Sequence, residues 1–453
     1  MKKLLSLFVC LMLLYAIVQN AGAEEATPET FTCEDYEYIL LEDGTAEITK
    51  YTGSTEILTI PETLDDHPVT ALGDLAFSGC QALTGVSIPN IVTSAGANPF
   101  ENCESLKSFY VSPDHPTLAV IDDVLFSKPD KRLVCFPRGK AAYDYDQLLE
   151  RVDEEQRRLD RWLADSEKSP SVIQKQKDMV EKYQDMLSNA SPNFSYAIPQ
   201  GIRIIGDYAF SSCFGLIGID IPDSVTTIGN QAFLACSGIT EISIPNSVTS
   251  IGKQAFGGTL LTSIVIPDSV TVLEEQVFDG CSRLTDVTIP DSVTTIGEGA
   301  FIACTRLKTV TIPDSVTSIG FSAFENTGLT NITIPESVTD LGGRAFFNCR
   351  KLTSISFPNS VSVIKIWTFC WCESLTEVVL PDGVTSIQRD AFEGCGQLRS
   401  ITIPESVTSI EKDAFAKCFK LTATVCRGSY AEEYCKENDL QYTYPDALDW
   451  LND

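Results

Sequence analysis

Hydrophobic and polar positions alternate along this chain in short bursts that repeat. Leu284, Val287 and Ile289 form one apolar alternation, Val293 and Ile296 a second, and Ala300, Phe301 and Cys304 an apolar corner. Alternation at period two predicts strands with one buried face. Pro290 closes the first strand, because its ring removes a ladder donor. Gly297 lets the chain turn out of the second. The unit reads I-P-D-S-V-T-x-I-G-x-x-A-F-x-x-C-x-x-L-T-x-V-x, and residues 290–312 are a clean copy.

The proline step recurs from Pro199 to Pro404 at intervals of 23, 23, 22, 23, 23, 22, 23, 23 and 23 residues, with earlier steps at Pro61, Pro89 and Pro137. A fixed period of this length predicts a solenoid. One unit cannot bury its Ile, Phe and Cys alone, whereas stacked units can. Strand spacing sets a rise of roughly 4.8 Å per unit.

Both ends of such a stack need polar caps. Residues 36–41 and 46–51, flanking Glu42-Asp43-Gly44-Thr45, predict a hairpin at one end. At the other, Ser429-Tyr430-Ala431-Glu432 reads as a capping box opening a short helix, with a last strand within 440–444. Residues 144–193 break the array. Leu148, Val152, Leu159 and Trp162 lie at helical spacing, as do Val172, Met179, Tyr183 and Met186. Ser169-Pro170 fits an N-cap followed by Pro at the first helical position. Two antiparallel helices are expected, read either as a spacer or as a docking or dimerising arm. Lys2 and Lys3 precede an apolar run, and Ala21-Gly22-Ala23 offers a small-x-small cleavage site, which is a secretory signal pattern. That run is short for a membrane span.

The repeat resembles the BspA-like leucine-rich-repeat family of bacterial surface proteins, from about residue 48 to residue 425 with one break. The resemblance implies a right-handed leucine-rich-repeat solenoid of short parallel strands, here with an inserted α-helical hairpin. The expected organisation is a signal peptide (1–23), an N-terminal cap (24–52), N-terminal repeats with a variant unit (53–143), the helical hairpin (144–195), regular repeats (196–425), and a C-terminal cap and tail (426–453). The family implies a secreted or surface-associated binding protein, adhesin-like, recognising an extracellular protein or glycan, host matrix proteins included. A secreted hydrolase with an unrecognised site and a structural surface-layer component are the alternatives.

Charge narrows the partners. The formal charge of −29 repels nucleic-acid phosphates and anionic lipid. His67 and His115 are the chain's two histidines, both expected as exposed loop residues, which leaves no base held against a nucleophile. No phosphate-cradling Gly loop, H-E-x-x-H or paired C-x-x-C occurs, so neither a metal nor a cofactor is implied. Ten cysteines share one repeat position, from Cys80 to Cys418. Stacked side chains there sit about one strand spacing apart, beyond the roughly 3.8 Å between Cβ atoms that a bridge prefers. They are expected as buried reduced thiols, with Cys426–Cys435 the pair most suited to bridge.

One stretch departs from the small polar corners elsewhere. Phe321, Arg344 and Phe347 lead into Ile364-Lys365-Ile366-Trp367-Thr368-Phe369-Cys370-Trp371-Cys372, where Lys365 replaces the consensus Gly and Thr368 the consensus Ala. Repeat register stacks Phe321, Gly343, Ile366 and Arg389 in one column, and Arg344 beside Trp367 in the next. Phe347 and Trp371 are expected beyond the core Phe column. Two readings stand: the tryptophans pack over the lost Gly and Ala, or Trp367 and Trp371 anchor a ligand, with Phe321, Phe347 and Arg344 around them.

Overall fold

The computed structural model describes residues 28–140, 152, 155–159, 161–163, 170–189 and 194–445. The expected signal segment and the tail after residue 445 lie outside them.

Two parallel ladders run along the stack. In most units the first strand pairs with its counterpart one unit away, as Ser263–Val265 does with Asp286–Thr288, Ile264 facing Val287, while residues 241–243 and 309–311 form no strand and divide this ladder into short sheets. The second ladder is built from two-residue strands such as Thr295–Ile296 and Ser318–Ile319. Between them lies a column of buried phenylalanines. From Phe210 to Phe415, successive ring centroids are 5.2–5.7 Å apart and their planes agree within 16°. Such offset stacking adds to the burial of each ring.

The cysteine column is a hydrogen-bonded ladder of free thiols. Cys304 Sγ donates to the Phe278 carbonyl at 3.2 Å, and Cys372 Sγ to that of Phe346 at 3.2 Å. Eight of the ten column thiols donate in this way to a phenylalanine carbonyl of the unit before, and Cys80 with Cys103 and Cys395 with Cys418 also meet sulfur to sulfur. In the two 22-residue units the same place is filled by Thr259 and Thr327. Thr259 Oγ1 donates to Phe256 O at 2.8 Å and meets Cys281 Sγ at 3.2 Å. The missing residue therefore falls after this position, between Thr259 and Leu261, and not at the cysteine's own place.

The stack continues past the insertion. Residues Arg132–Cys135 pair in parallel with Ile204–Ile205, so the second ladder is continuous across the insertion point. Two apolar cores meet here. Leu125 and Val134 belong to the N-terminal core, Phe126 and Leu133 to the longer one.

In the insertion, the described residues 155–159 and 161–163 are helical. They precede helix α1, Pro170–Asn189, which begins at the proline as expected. Gln176 Nε2 donates to Glu155 O at 3.1 Å and to Glu155 Oε2 at 2.8 Å, tying the two segments. Val180 is buried, whereas Val172 and Met179 are exposed. Gln176 and Val180, four apart, lie on the inner face in place of Val172 and Met179, while Leu159 is buried as its spacing implies.

At the N-terminal end Tyr36–Leu40 and Ala46–Tyr51 form the expected hairpin, extended by Thr30–Cys33. At the C-terminal end, helix α2 (Tyr430–Glu437) starts at Ser429, whose side chain accepts from Glu432 N. The Lys436 ammonium, then the Gly428 N–H and the Tyr444 hydroxyl, hold the Glu432 carboxyl down at about 2. Tyr434 closes the phenylalanine column edge-on, 6.1 Å from Phe415. The last strand, Gln441–Thr443, pairs with Thr422–Val425.

Two expectations fail for the same reason, the pull of the core. Cys426 and Cys435 are both free: Cys435 faces inward from α2 into the core, while Cys426 is half-exposed beyond the strand. His115 is buried, not exposed. Its Nδ1 accepts from the N–H groups of Thr117 and Leu118 at 3.3 and 3.0 Å, and its Nε2 faces Pro89 O at 3.2 Å. His67 lies at the surface of the N-terminal cap, its Nδ1 3.0 Å from Gly44 O.

Candidate functional site

Corners of the stack turn through residues at positive φ, typically one before the core Ala and one before the core Cys. Arg344, Trp367 and Trp371 occupy such positions at φ 57°, 57° and 63°. The left-handed region costs an L-residue roughly 1–2 kcal/mol. Here the fold imposes it, and neighbouring contacts offset it.

Arg344 is the hub. Its Nη2 and Nε reach Glu325 Oε1 and Oε2 at 2.7 and 3.1 Å, the two-pronged geometry that suits a guanidinium. Ser322 Oγ donates to the same buried carboxylate at 2.6 Å. Around this pair stand three rings. The guanidinium carbon is 4.3 Å from the Phe347 ring centre, 5.7 Å from that of Trp367 and 5.9 Å from that of Phe321. These distances are within cation–π range. Trp367 Nε1 donates to Asp390 Oδ2 at 3.1 Å, and Arg389 covers the same indole at 5.9 Å.

Gly343 keeps the outer layer continuous. A Cβ there would lie 3.3 Å from Ile366 Cγ2 and 3.4 Å from Phe321 Cε2, so the two side chains flank the bare backbone closely from either side. This is the column that register predicts. Phe347 is not beyond the core column, as expected, but beside Arg344, because Phe347 N donates to Arg344 O at 2.8 Å and closes a turn between them.

Trp371 stands apart from the hub. Its ring is seated on Gly394, where a Cβ would come within 2.8 Å of the indole, and Lys417 Nζ lies 4.8 Å from the ring centre. Lys417 is held by Glu393 at 2.6 Å. Burial, reinforced by Glu393, pushes the neighbouring Cys370 thiol up to about 12. The consensus alanine is replaced in place: Thr368 is buried and its Oγ1 donates to Lys365 O at 2.8 Å.

The sequence pattern missed the carboxylates that organise this surface. Glu325, Asp390 and Glu393 occupy variable corner positions, and their acidity was visible. Their partners become evident only when units are stacked. Also missed is a hollow of about 470 Å³ at the C-terminal end, lined by Val379, Thr402, Thr424, Cys426 and Pro445 among others. Val379, an apolar residue in an outward column, was its one signal. No three His, Cys, Asp or Glu side chains gather as a metal site among the described residues. No helix among them is long and apolar enough to cross a membrane.

The profile of the BspA type leucine rich repeat region matches residues 47–132, 203–327 and 294–422 in six copies. Among solved structures, a leucine rich cell surface protein from Faecalibacterium prausnitzii is 26% identical, covering 90% of this chain and 97% of its own, with a TM-score of 0.46. A leucine-rich repeat protein from Bacteroides ovatus is 21% identical over 91% and 99% of the two chains, TM-score 0.34. The pneumococcal vaccine antigen PcpA is 12% identical over 92% and 99%, TM-score 0.26. No curated protein matches.

Proposed function

Because the chain belongs to the BspA-type leucine-rich-repeat family, we propose that it is a secreted or surface-associated, adhesin-like binding protein that works without catalysis. Bacterial surface location and protein binding are what the family suggests. The contact surface proposed is the corner face around Arg344, Phe321, Phe347 and Trp367, with Trp371 at its edge. One observation carries this reading: Arg344 is fixed by Glu325 among three rings, and the outermost ring, Phe321, remains 40% exposed. Rigid aromatic and arginine side chains presented this way are the composition of binding hot spots.

The test is capture of host matrix proteins and cell-wall glycans by the purified protein and by a Trp367→Ala/Trp371→Ala variant. The reading expects capture by the first and loss by the second, at an unchanged melting temperature. Unchanged capture, or a drop of several degrees in melting, returns the tryptophans to local packing. The seat of Trp371 on Gly394 favours that second reading for this one residue. The helical insertion, with Leu163, Val172 and Met179 exposed, is proposed as a separate arm suited to docking.

A further inference from the structure

The surface just proposed is layered by charge. Arg389 is 53% exposed over an Asp390 that is 17% exposed, and Lys417 is 50% exposed over a Glu393 at 21%. Arg344 and Glu325 repeat the arrangement at 29% and 9%. In each pair the carboxylate lies beneath and the cation outside. The corners at 342–351, 365–374, 388–397 and 411–420 carry eight Lys and Arg against five Asp and Glu, within a chain of formal charge −29. An approaching anion meets repulsion over most of the molecule and cations here. Screening within about 8 Å at physiological salt makes the local sign decisive at contact.

Along one corner column the chemistry changes in order. Phe321 and Ile366, which flank Gly343 from either side, form an apolar half. Arg389 follows and then Lys412, whose side chain is 87% exposed. At one strand spacing per unit the column is about 20 Å long, the reach of about six extended residues. Arg344 is not the anion's partner, because Glu325 already fills its fork; it props the rings.

Resting on the binding reading above, we propose that the ligand element is an extended acidic peptide segment. Its aliphatic or aromatic side chain sits on Phe321 and Ile366, and its carboxylates reach Arg389 and Lys412. A ring and a branched aliphatic on either side of a glycine suit such a side chain, and the adjacent cations suit the acids.

The probe is a fluorescein-labelled peptide of about six residues, two leucines adjoining a run of glutamates, made in both orders. Controls replace the glutamates by lysine or the leucines by serine, and heparin supplies an anionic glycan. The acidic apolar peptide should bind about tenfold or more tighter than either control and weaken with salt. Arg389→Glu/Lys412→Glu should lose that binding. Lys412→Glu alone, on an outermost side chain, should weaken it severalfold with melting unchanged. Equal binding of the lysine peptide, unchanged binding by Lys412→Glu, or binding of heparin without the peptide overturns the proposal. If the double tryptophan variant loses matrix capture while Arg389→Glu/Lys412→Glu keeps it, the corner remains the binding surface and only the acidic-peptide assignment falls.

Discussion

The Cys304 thiol donates to the Phe278 carbonyl 3.2 Å away, across a unit boundary, and burial pushes that thiol well above its usual range. The buried ladder sulfurs, Cys103 to Cys418, are therefore out of reach of solvent, whereas Cys80 at the start of the ladder is half-exposed. In native protein, a chromogenic disulfide reagent should modify at most the half-exposed Cys33, Cys80 and Cys426, and the buried thiols only after denaturant is added. Mass mapping of the labelled peptides reads this directly. Rapid native labelling of Cys304 or Cys349 would contradict the ladder.

Cys304→Ala removes the thiol but leaves the Phe278 carbonyl with its second donor, Cys281 N at 3.2 Å. The loss should be modest, about 1 kcal/mol, read as a shift in denaturant midpoint. Cys304→Thr should recover part of it, since Thr259 and Thr327 fill the same place.

Gly394→Ala should destabilise by about 1–3 kcal/mol, from a Cβ forced into the Trp371 ring and a strained φ of +74°. In the Trp371→Ala background the steric part should vanish and only the backbone part remain. The double-mutant cycle isolates the contact. Equal costs in both backgrounds would mean that the ring does not rest on this glycine.

His115 supplies a pH dependence. Burial holds its pKa below the ordinary value, and Nδ1 already accepts two backbone N–H groups. The unfolded chain takes up a proton below about pH 6.5, and the folded chain resists it. The stability is thus fully present above that pH and is lost as pH falls toward the lower folded pKa. Chemical denaturation at several values between neutral pH and mild acid should show this decline. His115→Asn, which keeps a short acceptor, should flatten the slope even if its neutral stability is lower.

Joining residue 143 to residue 196 should leave a cooperative melt. Arg132–Cys135 already pairs with Ile204–Ile205, so the deletion removes no rung of the second ladder. Loss of a single transition, followed by differential scanning calorimetry, would make the insertion part of the core.

The stack was readable because its causes are local and repeated: Pro290 stops a strand wherever its equivalents occur, and Ser429 and Glu432 cap α2 within one turn. The site was readable only as an anomaly. Trp367 and Arg344 broke the pattern in plain view, but Arg344 meets Glu325 across 19 residues, and no short motif encodes that distance. Phe347 was misplaced because a closed turn outweighed simple alternation. His115 and Cys435 followed the core, a tertiary demand invisible in a loop or a helix of eight residues.

Across the units the position before the core Ala is held by Leu75, Tyr208, Gln254, Ser322, Arg344, Trp367 and Asp413, among others. The position before the core Cys is held by residues as unlike as Gly79, Asn102, Ala235, Trp371 and Lys417. Val, Ile and Thr do not occur among the positive-φ positions of the described residues, since branching at Cβ is least compatible with that backbone. Each corner is thus a pair of letters drawn from an alphabet restricted only in shape, free in charge and size. Substitution there rewrites what the rod displays while the phenylalanine column beneath is spelled the same way in every unit.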